Sequence, residues 1–168
     1  MGIFQIEGRD FAWLTGERDD PEDRCLHGHV EVRIGEAVVA YDCTVSAAAL
    51  YLLKTLTGDH IIHQDNQLLP CCGFFLVADK ALENVTIIGC DYGVDWSVVH
   101  DGDSVRLILE DGREERVPLE AYRREVFRFA DSVEAFYRAC SPKKIPEDPF
   151  DRDGYTAFWN EWRRRRGK

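Results

Sequence analysis

The stretch Val94-Asp-Trp-Ser-Val-Val-His-Asp-Gly-Asp-Ser-Val-Arg-Leu-Ile-Leu-Glu-Asp-Gly-Arg-Glu-Glu-Arg-Val117 decides the fold class. Val94, Trp96 and Val98 alternate toward Asp101-Gly102, and Val105, Leu107 and Leu109 alternate away from it. Successive side chains of a strand point to opposite faces, so each run presents one apolar face. With Asp101-Gly102 as a two-residue turn, Val98 faces Val105, Trp96 faces Leu107 and Val94 faces Leu109. Asp111-Gly112 fits a three-residue turn with a bulge, which sets Val117 opposite Val105. A three-stranded antiparallel meander with one buried face follows.

Upstream, Ile3, Phe4, Ile6, Phe11, Trp13 and Leu14 supply one or two short strands, and the polar run Glu17 to Arg24 predicts an exposed loop. Val30, Val32 and Ile34 alternate before Gly35-Glu36, which turns the chain into Ala37 to Cys43. That hairpin pairs Ile34 with Ala37, Val32 with Val39 and Val30 with Tyr41. Ser46 is placed to cap a helix running to about Thr57, with Gly58 as its C′ residue. Because Ala47 to Leu53 is apolar nearly all round, this helix should be buried. Residues 59–73 read as a loop, and Phe74 to Ala78 and Val85 to Cys90 as strands.

Downstream, Pro118 suits a first helical position, and Leu119, Tyr122, Val126, Phe129, Val133 and Phe136 recur at steps of three and four. A strap over about 141–152, holding Pro142, Pro146 and Pro149, should lead to a last helix from near Asp153. Tyr155, Phe158, Trp159 and Trp162 form a stripe on that helix, suited to docking on the protein's own sheet or on a partner. The expected architecture is a single α+β domain over 1–168. Its antiparallel sheet, built of hairpins and the meander, packs against one buried and two amphipathic C-terminal helices.

The 31 acidic and 21 basic residues give a net charge of −10, and five of the bases crowd into the last six positions. An acidic body repels nucleic acid and anionic membrane, so the expected macromolecular partner is a basic protein. The acids of the exposed loop, Glu17, Asp19, Asp20 and Glu22, are the candidate partner-binding residues. The Arg163 to Arg166 run reads as a frayed terminus that complements the helix dipole. No apolar run approaches the roughly 20 residues of a membrane span, and the first ten residues do not read as a signal peptide. A soluble, cytoplasmic protein is expected.

Six cysteines at irregular spacing read as buried free thiols. Cys25-x-His27-x-His29 is a metal candidate, since alternate strand residues share a face and these types ligate zinc. His60 and His63, with Cys71-Cys72, form a second cluster that would strengthen the first if the two met in space. Cys90 with His100 and Asp101 has the residue types of a nucleophilic site. The principal expectation carries no cofactor, with zinc entering only if the Cys/His cluster binds metal.

Gly93-Val-Asp-Trp-Ser-Val-Val-His-Asp-Gly102, Glu125-Val-Phe-Arg-Phe-Ala-Asp-Ser-Val-Glu-Ala-Phe-Tyr137 and Phe150-Asp-Arg-Asp-Gly-Tyr-Thr-Ala-Phe-Trp-Asn-Glu-Trp162 together resemble small uncharacterised bacterial single-domain proteins. In general style they are similar to immunity proteins of polymorphic toxin systems. The resemblance implies occlusion of a basic toxin by an acidic surface, and it assigns no functional residue. The alternative expectation is a metal-binding protein or metal-dependent hydrolase using Cys25, His27 and His29.

Overall fold

The computed structural model describes residues 2–73 and 75–168. It is an α+β fold of antiparallel sheets and three helices. The first sheet has the order β1 (Phe4–Ala12), β2 (His27–Ile34), β3 (Ala37–Thr44). β1 is one strand with an irregularity between Arg9 and Ala12, where Asp10 takes φ 54°. Phe4 lies opposite Ile34 and Ile6 opposite Val32, and all four are buried, so the alternation of the two strands is in phase. β2 and β3 pair as the sequence predicts, Val30 with Tyr41, Val32 with Val39 and Ile34 with Ala37.

Helix α1 (Val45–Lys54) follows β3 directly, and every residue from Val45 to Leu53 is buried. Its ends differ from expectation. Thr44 is the N-cap residue and makes no side-chain cap, while Ser46 lies inside the first turn. At the other end Thr55 closes the helix: its hydroxyl donates to the Leu52 carbonyl at 2.7 Å and pairs with the Tyr122 hydroxyl at 2.7 Å. The stop is therefore made by tertiary contact, not by Gly58.

Residues 59–73 are mostly irregular, with β4 (Leu69–Pro70) paired to β7 (Gly93–Val94) and His60 bridged to Val98. β5 (Phe75–Ala78) and β6 (Val85–Ile88) form a hairpin. The expected strand beginning at Phe74 starts one position outside the described residues.

The meander comprises β8 (Ser97–Asp101), β9 (Ser104–Ile108) and β10 (Glu114–Pro118). Val117 faces Val105 as predicted. The first hairpin is offset by two from the expected register: Val98 faces Leu107 and His100 faces Val105. The turn residues are Gly102-Asp103, with Gly102 at φ 64° in the first turn position. A type II′ turn asks for glycine there, whereas reading Asp101-Gly102 as the turn puts the glycine second. An offset of two preserves the buried face, and Val98, Val105 and Leu107 are all buried.

Helix α2 (Leu119–Ala139) buries Tyr122, Val126, Phe129 and Val133, with Pro118 as its N-cap residue. Helix α3 (Pro149–Arg166) starts four residues before the expected Asp153. Asp148 accepts hydrogen bonds from the amides of Phe150 and Asp151 at 3.0 and 3.2 Å, and Pro149 needs no partner in the first turn. The strap therefore covers 141–148. Tyr155, Phe158 and Trp162 are buried, and half-buried Trp159 meets Tyr137 edge-on at 5.0 Å, so the aromatic stripe docks on the fold itself.

The basic terminus is bound, not frayed. Arg166 grips Asp131 through two hydrogen bonds of 2.8 and 2.7 Å, Lys168 reaches Asp131 and Glu134, and Arg165 reaches Glu161. One cluster of buried side chains joins both three-stranded sheets to all three helices. Among the described residues no helix is long and apolar enough to cross a membrane.

Candidate functional site

The loop after β1 holds the predicted partner-binding acids, and the strap 141–148 lies across it. Asp19 accepts from the Ser141 amide at 3.1 Å and from its hydroxyl at 2.7 Å, which holds its carboxyl below the ordinary range. Asp20 accepts from the amide of Glu22 at 2.9 Å, and its carbonyl accepts from Lys143 at 2.6 Å. Lys143 in turn sits 3.0 Å above the Trp13 ring. Glu22 pairs with Lys144. Glu17 is exposed and engages the fold through its carbonyl, which accepts from the Trp13 amide. Three of the four acids thus fasten the loop to the strap.

A second acidic feature went unread in the sequence, because four separate segments build it. Between β3, the 60–67 loop, residues 91–95 and the second turn of the meander runs a groove of about 560 Å³. Half-buried Val39, Val94 and Leu109 line it, with Asp91, Glu110 and Asp111 exposed beside them. Arg113 also lines the groove, held by Asp111 at 2.8 Å. At the inner end Asp95 accepts from His60 at 2.8 Å and from the Leu68 amide at 3.0 Å, fixing the groove's wall.

The Cys/His candidates divide. Cys25 and His27 share a cavity of about 360 Å³ with Cys71 and Cys72, so parts of the two predicted clusters do meet. The Thr44 hydroxyl lies 3.4 Å from both His27 Nε2 and the Cys71 carbonyl, while His27 Nδ1 is buried without a partner. His29 turns away to Asp42, at 2.6 Å. His60 is buried against Asp95, and exposed His63 lies 3.7 Å from Glu110. Cys25, which precedes β2, does not follow the strand's alternation. Burial pushes its thiol up to about 12, with Asp23 adding to the effect. Among the described residues no group of three or more His, Cys, Asp or Glu side chains is arranged to hold a metal ion.

The nucleophilic arrangement suggested by Cys90, His100 and Asp101 is not formed. His100 Nε2 pairs with the Thr55 carbonyl at 2.8 Å, and Asp101 pairs with Arg116 at 2.6 Å. Cys90 instead lies against Cys72, whose sulfur accepts the Cys90 amide at 3.0 Å. The expectation of buried thiols is met fully at Cys43; Cys71 is exposed and the other four are half-buried.

No family model matches the chain, and it has no match among the curated proteins or the solved structures.

Proposed function

We propose that this chain is an acidic binding domain that occludes a basic protein partner in the manner of an immunity protein. The groove between β3 and the meander is the observation that carries this reading. Its apolar lining of Val39, Val94 and Leu109 suits the aliphatic stem of a lysine or arginine, and Asp91, Glu110 and Asp111 suit the cationic end. A net charge of −10 would also steer a basic partner toward the domain and raise its association rate.

The test is titration of the purified protein with an arginine-rich peptide, beside a control carrying glutamine for arginine. Binding should weaken as salt is raised. The triple variant Asp91→Asn, Glu110→Gln, Asp111→Asn should lose about tenfold in affinity, which corresponds to about 1.4 kcal/mol. Equal affinity of variant and wild type, or equal binding of the control peptide, would overturn the assignment. A zinc-dependent reading has only Cys25 and His27 of its three residues at one cavity, and is the weaker of the two.

A further inference from the structure

Cys71, Cys72 and Cys90 gather where the short β4–β7 pair ends. The Cys71 amide donates to the Tyr92 carbonyl at 2.9 Å, carrying the antiparallel contact one step past Pro70 and Gly93. One residue further, Cys72 Sγ accepts the Cys90 amide at 3.0 Å. The two segments approach this closely because position 89 is glycine: a Cβ there would collide with the Cys72 carbonyl oxygen. A cysteine sulfur is three bonds from its own amide nitrogen. Rotation about the Cys90 Cα–Cβ bond therefore swings its sulfur toward the sulfur already resting on that nitrogen.

We propose that Cys72 and Cys90 form a redox-active dithiol that hydroperoxides oxidise to a reversible intramolecular disulfide. The neighbouring Cys72 side chain holds the Cys90 thiol below its ordinary value, and the Cys90 side chain raises that of Cys72. Cys90 is thus the better thiolate and the first nucleophile. Its sulfur attacks one peroxide oxygen, the O–O bond breaks, and Cys90 becomes a sulfenic acid while the other oxygen leaves as water or an alcohol. The Cys72 sulfur then attacks the sulfenic sulfur. The S–O bond breaks, the S–S bond forms, and hydroxide departs with the Cys72 proton as water. Two electrons have passed from the thiols to the peroxide.

Other pairings fit less well. Adjacent Cys71 and Cys72 would make a strained bridge, and burial pushes the Cys25 and Cys43 thiols up to about 12. The proposed bond closes the segment 73–89, which holds the β5–β6 hairpin against which α3 packs. Partial exposure of Cys72 and Cys90 leaves both open to a small oxidant and to a reducing thiol.

The experiment treats reduced protein with equimolar hydrogen peroxide, alkylates the remaining thiols and digests with trypsin without reductant. Cleavage after Lys54, Lys80 and Arg106 leaves peptides 55–80 and 81–106 joined, two hydrogen atoms lighter than their sum and separated by dithiothreitol. Fragmentation should place the link at Cys72 and Cys90. The link should persist in Cys71→Ser and be lost in Cys72→Ser and Cys90→Ser. Wild-type protein that shows the link at Cys71, links only between molecules, or Cys90 oxidised to sulfinic acid with no link would overturn the proposal, whether or not the variants fold.

Discussion

Glu161 accepts a hydrogen bond from the Val85 amide at 2.8 Å, joining α3 to the first residue of β6 through a carboxylate that is 1% exposed. Arg165 at 2.7 Å and Lys54 at 3.5 Å complete its surroundings. Removing the buried carboxylate leaves the Val85 amide and two half-buried cations without it, so Glu161→Ala should destabilise the protein by about 3 kcal/mol, the lower end for breaking a buried ion pair. Glu161→Gln keeps an acceptor for Val85 and should lose less. Urea unfolding of the three proteins is the measurement, and an alanine variant within about 1 kcal/mol of wild type would refute this role.

The same residue shows where the sequence stops speaking. Glu161 and Arg165 stand four apart on a helix, the spacing of an ordinary exposed pair, and nothing local says that the acid is covered by β6. Period-two alternation did disclose the hairpins, because it records which face is buried whatever the partner. It does not fix register, which at β8–β9 depends on which turn position Gly102 occupies. Cys72 and Cys90 meet through a ladder of only two residue pairs, too short to leave a pattern. The groove of Val39, Val94 and Leu109 draws on four separate segments, and its acids look like scattered surface charge until the fold assembles them.

The C-terminal clasp gives the stability an acid limb. Hydrogen bonds from Arg166, against a smaller opposing effect of burial, hold the Asp131 carboxyl below its ordinary value of 3.8, with Lys168 adding to the shift. A carboxyl depressed in the folded state contributes stability above the unfolded value, and that contribution is lost as pH falls through the folded value. The urea midpoint should therefore drop on going from about pH 5 to about pH 3, and Asp131→Asn should show a smaller drop. A variant that falls as steeply as wild type would exclude Asp131 as a source of the acid sensitivity.

Lys143 joins the strap to the acidic loop through the Trp13 ring and the Asp20 carbonyl. A partly desolvated cation over an indole is worth about 1–2 kcal/mol, and Lys143→Ala removes the hydrogen bond as well. The loop should then open more often. Limited trypsin digestion should cut after Arg18 or Arg24 several-fold faster in the variant, whereas unchanged rates would mean that Asp19 and Glu22 hold the loop without help.

Thiol reactivity should follow the electrostatics of each site. Burial pushes Cys25 and Cys43 up to about 12, so almost none of either is thiolate at pH 7.5, roughly four units below. The Cys72 thiol shifts Cys90 the other way. Limiting iodoacetamide at that pH should label Cys90 well before Cys25 or Cys43, read by peptide mass mapping. Early labelling of Cys25 would show that its cavity admits reagent and solvent far more freely than the fold indicates.

Gly154 sets two opposing effects against each other in α3. Alanine is favoured over glycine inside a helix by about 1 kcal/mol, so on propensity alone Gly154→Ala should stabilise. A Cβ at 154, however, would stand 2.9 Å from both the carbonyl carbon and the Cβ of Leu76, and closer still to the Leu76 carbonyl oxygen. These are mainly backbone atoms of β5, which cannot swing aside as the end of a long side chain would. Overpacking costs about 1–3 kcal/mol, and a rigid contact belongs at the upper end of that range. The collision should win, leaving Gly154→Ala less stable than wild type by about 1–2 kcal/mol in thermal or urea unfolding. A more stable variant would show that α3 shifts along β5 freely enough to admit a methyl group.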